Sequence, residues 1–213
     1  MSVKAKLLNF DEPLVVAIDG TAASGKGTLA KLMASKFNLV YCQTSLFYRQ
    51  LALNAIKNGA VDSVEKIIEM SKQRFDLHDS PDLYTPDVTE VASIVASIPE
   101  VRLNLIKPQR DFLLANKRIV MEVIDIGTVI SPEAERKRYV TADLDIRAER
   151  RRNQMLKNSV EVSFEDVRSA LEHRDKRDSN REHGPLAKAD NAIEIDTTHS
   201  APEEIVEHIL SRG

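Results

Sequence analysis

Residues 13–28 read Pro-Leu-Val-Val-Ala-Ile-Asp-Gly-Thr-Ala-Ala-Ser-Gly-Lys-Gly-Thr, and this stretch decides the fold. Its first part, Pro13 to Asp19, is a short continuous apolar run, which predicts a strand buried on both faces, as in a parallel sheet. From Thr28 to Phe37, apolar side chains recur on one helical face. A buried strand, a glycine-rich turn and a helix in this order form the context of a phosphate-binding loop.

The turn from Gly20 to Thr28 has the chemistry that such a loop needs. Its small residues allow backbone N–H groups to converge on an anion, and the start of the following helix adds favourable partial charge. Lys26 supplies a mobile positive charge for terminal phosphates, and the hydroxyl of Thr28 or of Ser24 could bind a magnesium ion. A tight turn with incidental glycines is the alternative, which the flanking strand and helix disfavour. We therefore predict a nucleoside triphosphate site at Gly20, Thr21, Ala22, Ala23, Ser24, Gly25, Lys26, Gly27 and Thr28.

The rest of the chain repeats the alternation of strand and helix. Further strands are predicted at Leu39 to Cys42, Arg118 to Ile124, Lys137 to Thr141 and Ala192 to Asp196. The pattern implies an α/β fold with one five-stranded parallel sheet covered by helices, in a single domain, 1–213. Two stretches, about 58–110 and about 150–186, interrupt the alternation and are interpreted as insertions at the carboxyl edge of the sheet. In the first of them, Asp62 and Glu65 predict a capping box.

Composition excludes several classes of protein. The formal net charge is -3 and charged residues make up 30% of the chain, which argues against a protein that coats nucleic acid or binds a membrane surface. No uncharged apolar stretch reaches the ~20 residues of a membrane span. The single cysteine, Cys42, is interpreted as a small buried apolar residue, and the five histidines lack the spacing of a structural metal site. We expect a cytoplasmic protein.

A second pattern lies between Ser163 and Arg181. Apolar residues at Phe164, Val167 and Leu171 define one helical face, and the same face continues as Arg174, Asp178 and Arg181. A solvated helix end would account for this change from apolar to charged residues. The alternative is a phosphate-binding lid, because guanidinium groups are suited to phosphate oxygens and four more arginines lie upstream, at positions 147, 150, 151 and 152.

Motifs along nearly the whole chain resemble the bacterial cytidylate kinase family. The loop departs from the general P-loop pattern, since Gly27 separates Lys26 from Thr28, and is similar to that of nucleoside monophosphate kinases. The other matching motifs are Thr44 with Tyr48-Arg49, Thr85-Pro86 through Ala92-Ser93, Pro99 to Arg102, Asp125 to Thr128, Arg147 to Arg151, Arg174 to Arg181, and Asp196-Thr197-Thr198.

The resemblance implies a P-loop kinase that transfers the γ-phosphoryl group of ATP to CMP or dCMP with Mg2+. It also implies an NMP-binding insertion at about 58–110 and a lid at about 150–186. We further expect a monomer with small-molecule substrates and no nucleic-acid or membrane partner. Ser93, Arg102 and Asp125 match positions that read the cytosine edge, Asp178 one that holds the sugar hydroxyls, and Arg49 and Arg181 residues that grip the acceptor phosphate. Thr44 would join the CMP site, Arg150 the ATP site, and Glu122 the metal site. Lys26, Arg174 and Arg181 would be catalytic.

Three departures from the family pattern leave alternatives open. Gln43-Thr44-Ser45 stands where the family has Asp-Thr-Gly or Asp-Ser-Gly, and Glu122-Val123-Ile124-Asp125 stands where it has Asp-Gly-Arg-Asp. Ile124 therefore replaces an arginine expected at the phosphates, whereas Glu122 retains a carboxylate. The alternatives are a kinase for another acceptor, such as UMP or AMP, and a nucleotide-binding regulator that has lost catalysis.

Overall fold

The computed structural model describes residue 9 and residues 11–73, 77, 79–122 and 125–211. The chain forms two compact units. The first contains the residues up to Cys42 and those from Lys117 onward, and the second is Gln43–Asn116. The predicted insertion at 58–110 falls within the second unit, and its assignment to a substrate stays a prediction.

The first unit is built on a five-stranded sheet of order β2-β3-β1-β4-β5. The strands are β1 (Leu14–Gly20), β2 (Val40–Gln43), β3 (Arg118–Glu122), β4 (Arg136–Thr141) and β5 (Ile193–Asp196). Strand β1 pairs in parallel with β3 and β4, and β4 pairs in parallel with β5. The predicted five-stranded α/β fold is therefore confirmed. The third strand was expected to reach Ile124, but Val123 and Ile124 lie outside the described residues.

Eight α-helices occur in the described part of the chain. They are α1 (Lys26–Phe37), α2 (Ser45–Lys57), α3 (Val64–Ser71), α4 (Pro86–Val95), α5 (Pro99–Ala115), α6 (Leu144–Lys157), α7 (Phe164–Ser179) and α8 (Pro202–Ser211). A single π-helical turn, Ile126–Ile130, follows β3. None of these helices combines the length and apolarity that crossing a membrane requires.

The core of the first unit lies between β1 and the helices α1 and α8. Leu14, Val16 and Ile18 of β1 are fully buried, and they cluster with Leu29, Phe37, Ile205 and other apolar residues. Cys42 is 3% exposed, which confirms the prediction of a small buried apolar residue, and burial raises the pKa of its thiol to about 12. The apolar run that predicted β1 thus forms the centre of the sheet.

In the second unit, the predicted capping box is wrong by one residue. The N-cap of α3 is Ser63, whose hydroxyl accepts a hydrogen bond of 3.3 Å from the N–H of Lys66. Ser63 has the extended backbone that an N-cap requires, so that its short side chain reaches the first turn of the helix. Asp62 lies one residue too early for this role.

Gly20 ends β1 in a conformation that only glycine tolerates. Its φ is +137°, and a Cβ atom there would lie 1.9 Å from the carbonyl oxygen of Val140 on β4. We expect Gly20→Ala to lower the free energy of unfolding by more than about 3 kcal/mol, because β1 or β4 must shift. Urea unfolding measures the loss. Gly59→Ala is the control, because Gly59 has a φ of +59° but no atom within 4 Å of the added carbon. Equal losses would show that backbone strain alone, and not the contact with β4, requires Gly20.

Candidate functional site

The loop between β1 and α1 turns sharply around two left-handed residues. Ala23 has a φ of 60° and Gly25 a φ of 91°. The Ser24 hydroxyl donates to the carbonyl oxygen of Thr21 at 2.9 Å, and the Lys26 ammonium group donates to the same oxygen at 2.6 Å. The loop is therefore closed by its own side chains, and Lys26 lies across it.

The carbonyl groups of this loop are held by donors from the protein. The Ala22 carbonyl accepts from Arg147 at 3.2 Å, that of Ser24 accepts from the Thr197 hydroxyl at 2.7 Å, and that of Gly25 accepts from the N–H of Leu29 at 3.0 Å. The first turn of α1 has N–H groups that no intrahelical carbonyl can accept. With these carbonyls engaged, the N–H groups at the start of α1 are available to an anion, whereas those of Thr21 and Ser24 donate to the carbonyls of Val140 and Thr21.

Lys26 experiences a strongly perturbed electrostatic environment. The pKa of its ammonium group is lowered to about 8, mainly because burial removes water from the charge; the nearby carboxylate of Glu122 opposes this shift, and the charge of Arg174 adds to it. An ammonium group with so little water gains most from a negatively charged ligand. The site therefore has the electrostatics of an anion-binding site.

Glu122, at the end of β3, supplies a carboxylate beside the loop. Its side chain is buried, accepts a hydrogen bond of 3.1 Å from the Tyr41 hydroxyl, and has an oxygen 3.4 Å from where a Cβ on Gly27 would lie. The Thr28 side chain is exposed in the first turn of α1, whereas that of Ser24 is buried and engaged with Thr21. Mg2+ prefers oxygen ligands and is commonly held by one or two protein groups together with phosphates. Glu122 and Thr28 carry oxygen atoms of the kind such an ion prefers, and the described residues contain no group of three or more His, Cys, Asp or Glu side chains that could hold a metal.

Arg150 is held beside the loop by Thr197, a residue that the sequence indicated only as part of a longer motif. Its guanidinium donates to the Thr197 hydroxyl at 3.0 Å and to the Thr197 carbonyl at 2.6 Å. Thr197 follows β5 and is also the donor to the Ser24 carbonyl. Thr197 thus links Arg150 to the loop, and the role of Arg150 in ATP binding stays a prediction.

A buried ion pair joins helices α6 and α7 to the loop. Arg147 pairs with Asp175 at 2.7 Å and donates to the carbonyl groups of Ala22 and Ala142. Ala22 and Ala23 also pack on the apolar cluster of Ala148, Val167 and Leu171. Sequence reasoning identified Arg147 only as part of a basic run, because its partners are far away in the chain.

The charged end of the helical stripe converges on Asp178, whose side chain is 3% exposed. Arg181 lies 2.5 Å from it, Arg174 lies 3.5 Å and Arg177 lies 3.9 Å from it. A solvated helix end would not bury a carboxylate among three cations. Asp178 is therefore not part of a solvated helix end, and the phosphate-binding role of this stripe stays a prediction.

The predicted site residues of the second unit have contacts within that unit. Arg49 donates to the Leu83 carbonyl at 2.7 Å and to the Thr89 hydroxyl at 2.9 Å. Arg102 is buried, with its guanidinium 5.7 Å from the ring centre of Tyr48. Thr44 is buried at the start of α2, and its hydroxyl has no hydrogen-bond partner among the described residues, while Ser93 is exposed on α4.

Asp19 is a fully buried carboxylate that sequence reasoning passed over. It accepts hydrogen bonds from the N–H groups of Ile126 at 2.7 Å and Gly127 at 2.8 Å. Burial nevertheless raises its pKa from 3.8 to about 6. The sequence signal would have been a charged residue that ends an otherwise apolar buried strand.

This raised pKa predicts a pH-dependent loss of stability. The folded protein holds the proton more tightly than the unfolded chain, so the contribution of Asp19 is present below its unfolded pKa and is lost as the pH rises through about 6. The loss is roughly 3 kcal/mol, from a shift of about two pKa units at about 1.4 kcal/mol each. Urea unfolding of the wild type and Asp19→Asn at several pH values from about 4 to 7 measures it. A difference between the two proteins that does not change with pH would contradict the prediction.

A parallel sheet whose first strand–helix turn offers amides and a lysine to an anion defines the class of P-loop nucleotide-binding folds. The family model described as cytidylate kinase matches residues 16–212. The chain belongs to the cytidylate kinase family.

Individual relatives agree with this assignment. The cytidylate kinase of Rickettsia bellii is 40% identical over 210 residues, covering 98% of this chain and 96% of that protein. The cytidylate kinase of Acidiphilium cryptum is 41% identical, covering 94% and 99% respectively. A crystal structure of an uncharacterized protein from Eubacterium ventriosum has a TM-score of 0.51 at 16% identity, covering 94% of this chain and all of that one, and shares the fold alone.

Proposed function

We propose that this protein transfers the γ-phosphoryl group of ATP to CMP or dCMP. The observation that carries the proposal is the loop Gly20–Thr28, whose carbonyls accept hydrogen bonds from Arg147, Thr197 and Leu29, which leaves the N–H groups of the first turn of α1 for a polyphosphate. Membership of the cytidylate kinase family supports the choice of acceptor.

The donor nucleotide is held by the loop and by Lys26. On binding, the ammonium group leaves the Thr21 carbonyl, at 2.6 Å in the structure, and donates to the terminal phosphates instead. Arg150 is assigned to the same nucleotide, because it is fixed beside the loop by Thr197. Transfer is in line and needs no covalent enzyme intermediate, so catalysis is positioning and electrostatic stabilisation.

The acceptor roles are proposed residue by residue within each unit. Arg181 grips its phosphate, Asp178 its sugar hydroxyls, and Arg174 neutralises charge as the phosphoryl group moves; their mutual contacts support these roles. Asp125 reads the cytosine edge. The roles of Thr44, Arg49, Ser93 and Arg102 rest on the resemblance of their motifs to those of the family.

A magnesium ion is part of the proposal. Glu122 and Thr28 would hold it beside the loop, and it would supply a Lewis acid that neutralises the phosphate oxygens. Tyr41 orients the Glu122 carboxylate by its hydrogen bond. The monomeric state, the absence of nucleic-acid and membrane partners, and the cytoplasmic location stay predictions of the sequence.

A panel of acceptors tests the proposed function. ADP formation is followed with ATP, Mg2+ and CMP, dCMP, UMP or AMP in parallel, and with no acceptor as the control. We expect the largest kcat/KM with CMP or dCMP, because a site built to hydrogen-bond a base edge rejects a base that leaves its polar groups without partners. Indifference to CMP would refute the choice of acceptor. Calorimetric binding of ATP and CMP without ADP formation would identify a regulator that has lost catalysis.

The departure at Ile124 gives a gain-of-function prediction. One guanidinium directed at the transferring phosphate contributes about 3 kcal/mol to transition-state stabilisation, which corresponds to about 10²-fold in rate. Ile124→Arg is therefore expected to raise kcat with CMP towards that factor, and Ile124→Gln, which adds polarity without charge, is the control. An unchanged or lower kcat would show that other cations already supply this charge.

A further inference from the structure

The Asp19 carboxylate joins β1 to the turn that follows β3. Its two oxygens each accept one backbone N–H, from Ile126 at 2.7 Å and from Gly127 at 2.8 Å. Hydrogen bonds to an ionised carboxylate are stronger than those between neutral groups, and two parallel bonds also fix an orientation. The carboxylate therefore specifies the backbone position of this turn.

Gly127 is the residue that permits this contact. A Cβ atom at position 127 would lie 2.7 Å from one Asp19 oxygen and 3.2 Å from the Lys137 side chain. Any side chain there would have to displace the carboxylate or the turn. The Asp19 carboxylate can therefore approach the turn this closely only because residue 127 is glycine.

The turn held by Asp19 begins at Asp125. The Asp125 carbonyl accepts from the N–H groups of Val129 at 2.9 Å and Ile130 at 3.2 Å, which closes one π-helical turn. Isolated π-helical turns occur frequently at functional sites. The Asp125 side chain is buried, and its charge contributes to the raised pKa of Asp19, so the two carboxylates are near one another.

Stability does not account for a carboxylate at position 19. Burial raises its pKa to about 6, so the carboxylate is ionised at neutral pH although its charge lowers the stability of the folded protein. What the ionised form provides is the pair of bonds to the turn. The presence of a buried charge that opposes folding is therefore better explained by the turn that Asp19 holds in place than by a contribution to stability.

We propose that Asp19 is a positioning residue that fixes Asp125, and through it the choice of acceptor base. The inference rests on the proposed function, which assigns Asp125 to the cytosine edge. Asp19 immediately precedes Gly20 of the donor loop, and Ile126 immediately follows Asp125. A single carboxylate therefore links the segment assigned to ATP with the segment assigned to the acceptor base.

Asp19→Asn tests the inference at about pH 7.5, where the wild-type carboxylate is ionised. The amide keeps the shape but offers one acceptor oxygen, and its NH2 group faces the second N–H. We expect the KM for CMP to rise about tenfold and the preference for CMP over UMP, measured as the ratio of kcat/KM, to fall by a similar factor, while the KM for ATP changes less than about twofold. Asp190→Asn, at an exposed aspartate of the same unit, is the matched control and should resemble the wild type.

Hydrogen exchange gives a readout that does not depend on substrate. In Asp19→Asn the amides of Ile126 and Gly127 should exchange at least tenfold faster than in the wild type. Gly127→Ala displaces the same contact from the other side and should reproduce the change in CMP and UMP kinetics. If Asp19→Asn does not fold, Gly127→Ala alone tests whether the contact between Asp19 and the turn affects the choice of acceptor.

The kinetic and the hydrogen-exchange results test separate parts of this inference. Wild-type acceptor kinetics in both variants, or equal rises in the KM for CMP and ATP, would remove Asp19 from acceptor selection. Unchanged exchange at Ile126 and Gly127 would show that the carboxylate does not hold the turn. If the wild type rejects CMP altogether, the proposed function fails, and the exchange experiment still judges the link between Asp19 and the turn.

Discussion

Replacing Lys26 with alanine should lower kcat by about 10³-fold without unfolding the protein. The ammonium group lies across the loop, 2.6 Å from the Thr21 carbonyl, in an environment where burial lowers its pKa to about 8. In such a desolvated site a cation contributes far more to the stabilisation of transferring phosphate than it does in water, and removing one preorganised donor costs 10²- to 10³-fold or about 3–4 kcal/mol. Because the charge develops on the oxygens during transfer, kcat should fall more than the KM for ATP rises.

The same helix provides the control for this experiment. Lys36→Ala removes an exposed lysine of α1 that pairs with Glu207, and exposed pairs contribute little to stability. Its kcat should stay within about twofold of the wild type. Steady-state kinetics give the rates, and circular dichroism shows whether each variant is folded. A folded Lys26→Ala variant with wild-type turnover would remove the loop from the mechanism.

The sheet and the loop were predictable because their signals are local. The apolar run before Asp19 is long enough for a strand and has no amphipathic period, and the sequence from Gly20 to Thr28 contains the loop completely. Most strand bounds within the described residues differ from the predicted ones by one residue, since hydrophobicity does not mark where a ladder of hydrogen bonds ends. The cap of α3 was placed at Asp62 instead of Ser63, because both residue types are favoured as N-caps and the sequence does not show which of them precedes the first helical turn.

The groups that orient the loop were not predictable, because their partners are distant in sequence. Thr197 donates to the carbonyl of Ser24, 173 residues away, and Arg147 donates to that of Ala22, 125 residues away. No periodicity or spacing connects such positions. The same holds for Asp19, whose partners Ile126 and Gly127 come after another strand. The sequence thus identified the anion-binding loop, and the structure identified what turns its carbonyl groups away from an anion.

Arg181→Met should lower kcat/KM for CMP by about 10³-fold. The variant loses a guanidinium that we assign to the acceptor phosphate, at about 3 kcal/mol, and it also removes the closest cation from the buried Asp178 carboxylate. Arg181 is 12% exposed, so the long apolar side chain of methionine fits a largely buried position. The KM for ATP should change much less, because the loop, Lys26 and Arg150 remain.

Arg177→Met distinguishes two possible roles of Arg181: binding the acceptor phosphate and neutralising the Asp178 carboxylate. Arg177 lies 3.9 Å from the same carboxylate, but its side chain is 52% exposed, and we assign it no contact with substrate. If Arg181 binds the acceptor phosphate, Arg177→Met should change kcat/KM for CMP by less than about threefold. If instead both arginines act only by neutralising Asp178, the two variants should lose activity alike. Equal losses of kcat/KM in the two variants would contradict the phosphate role of Arg181. Acceptor binding would then depend on Asp178, the residue that both arginines contact.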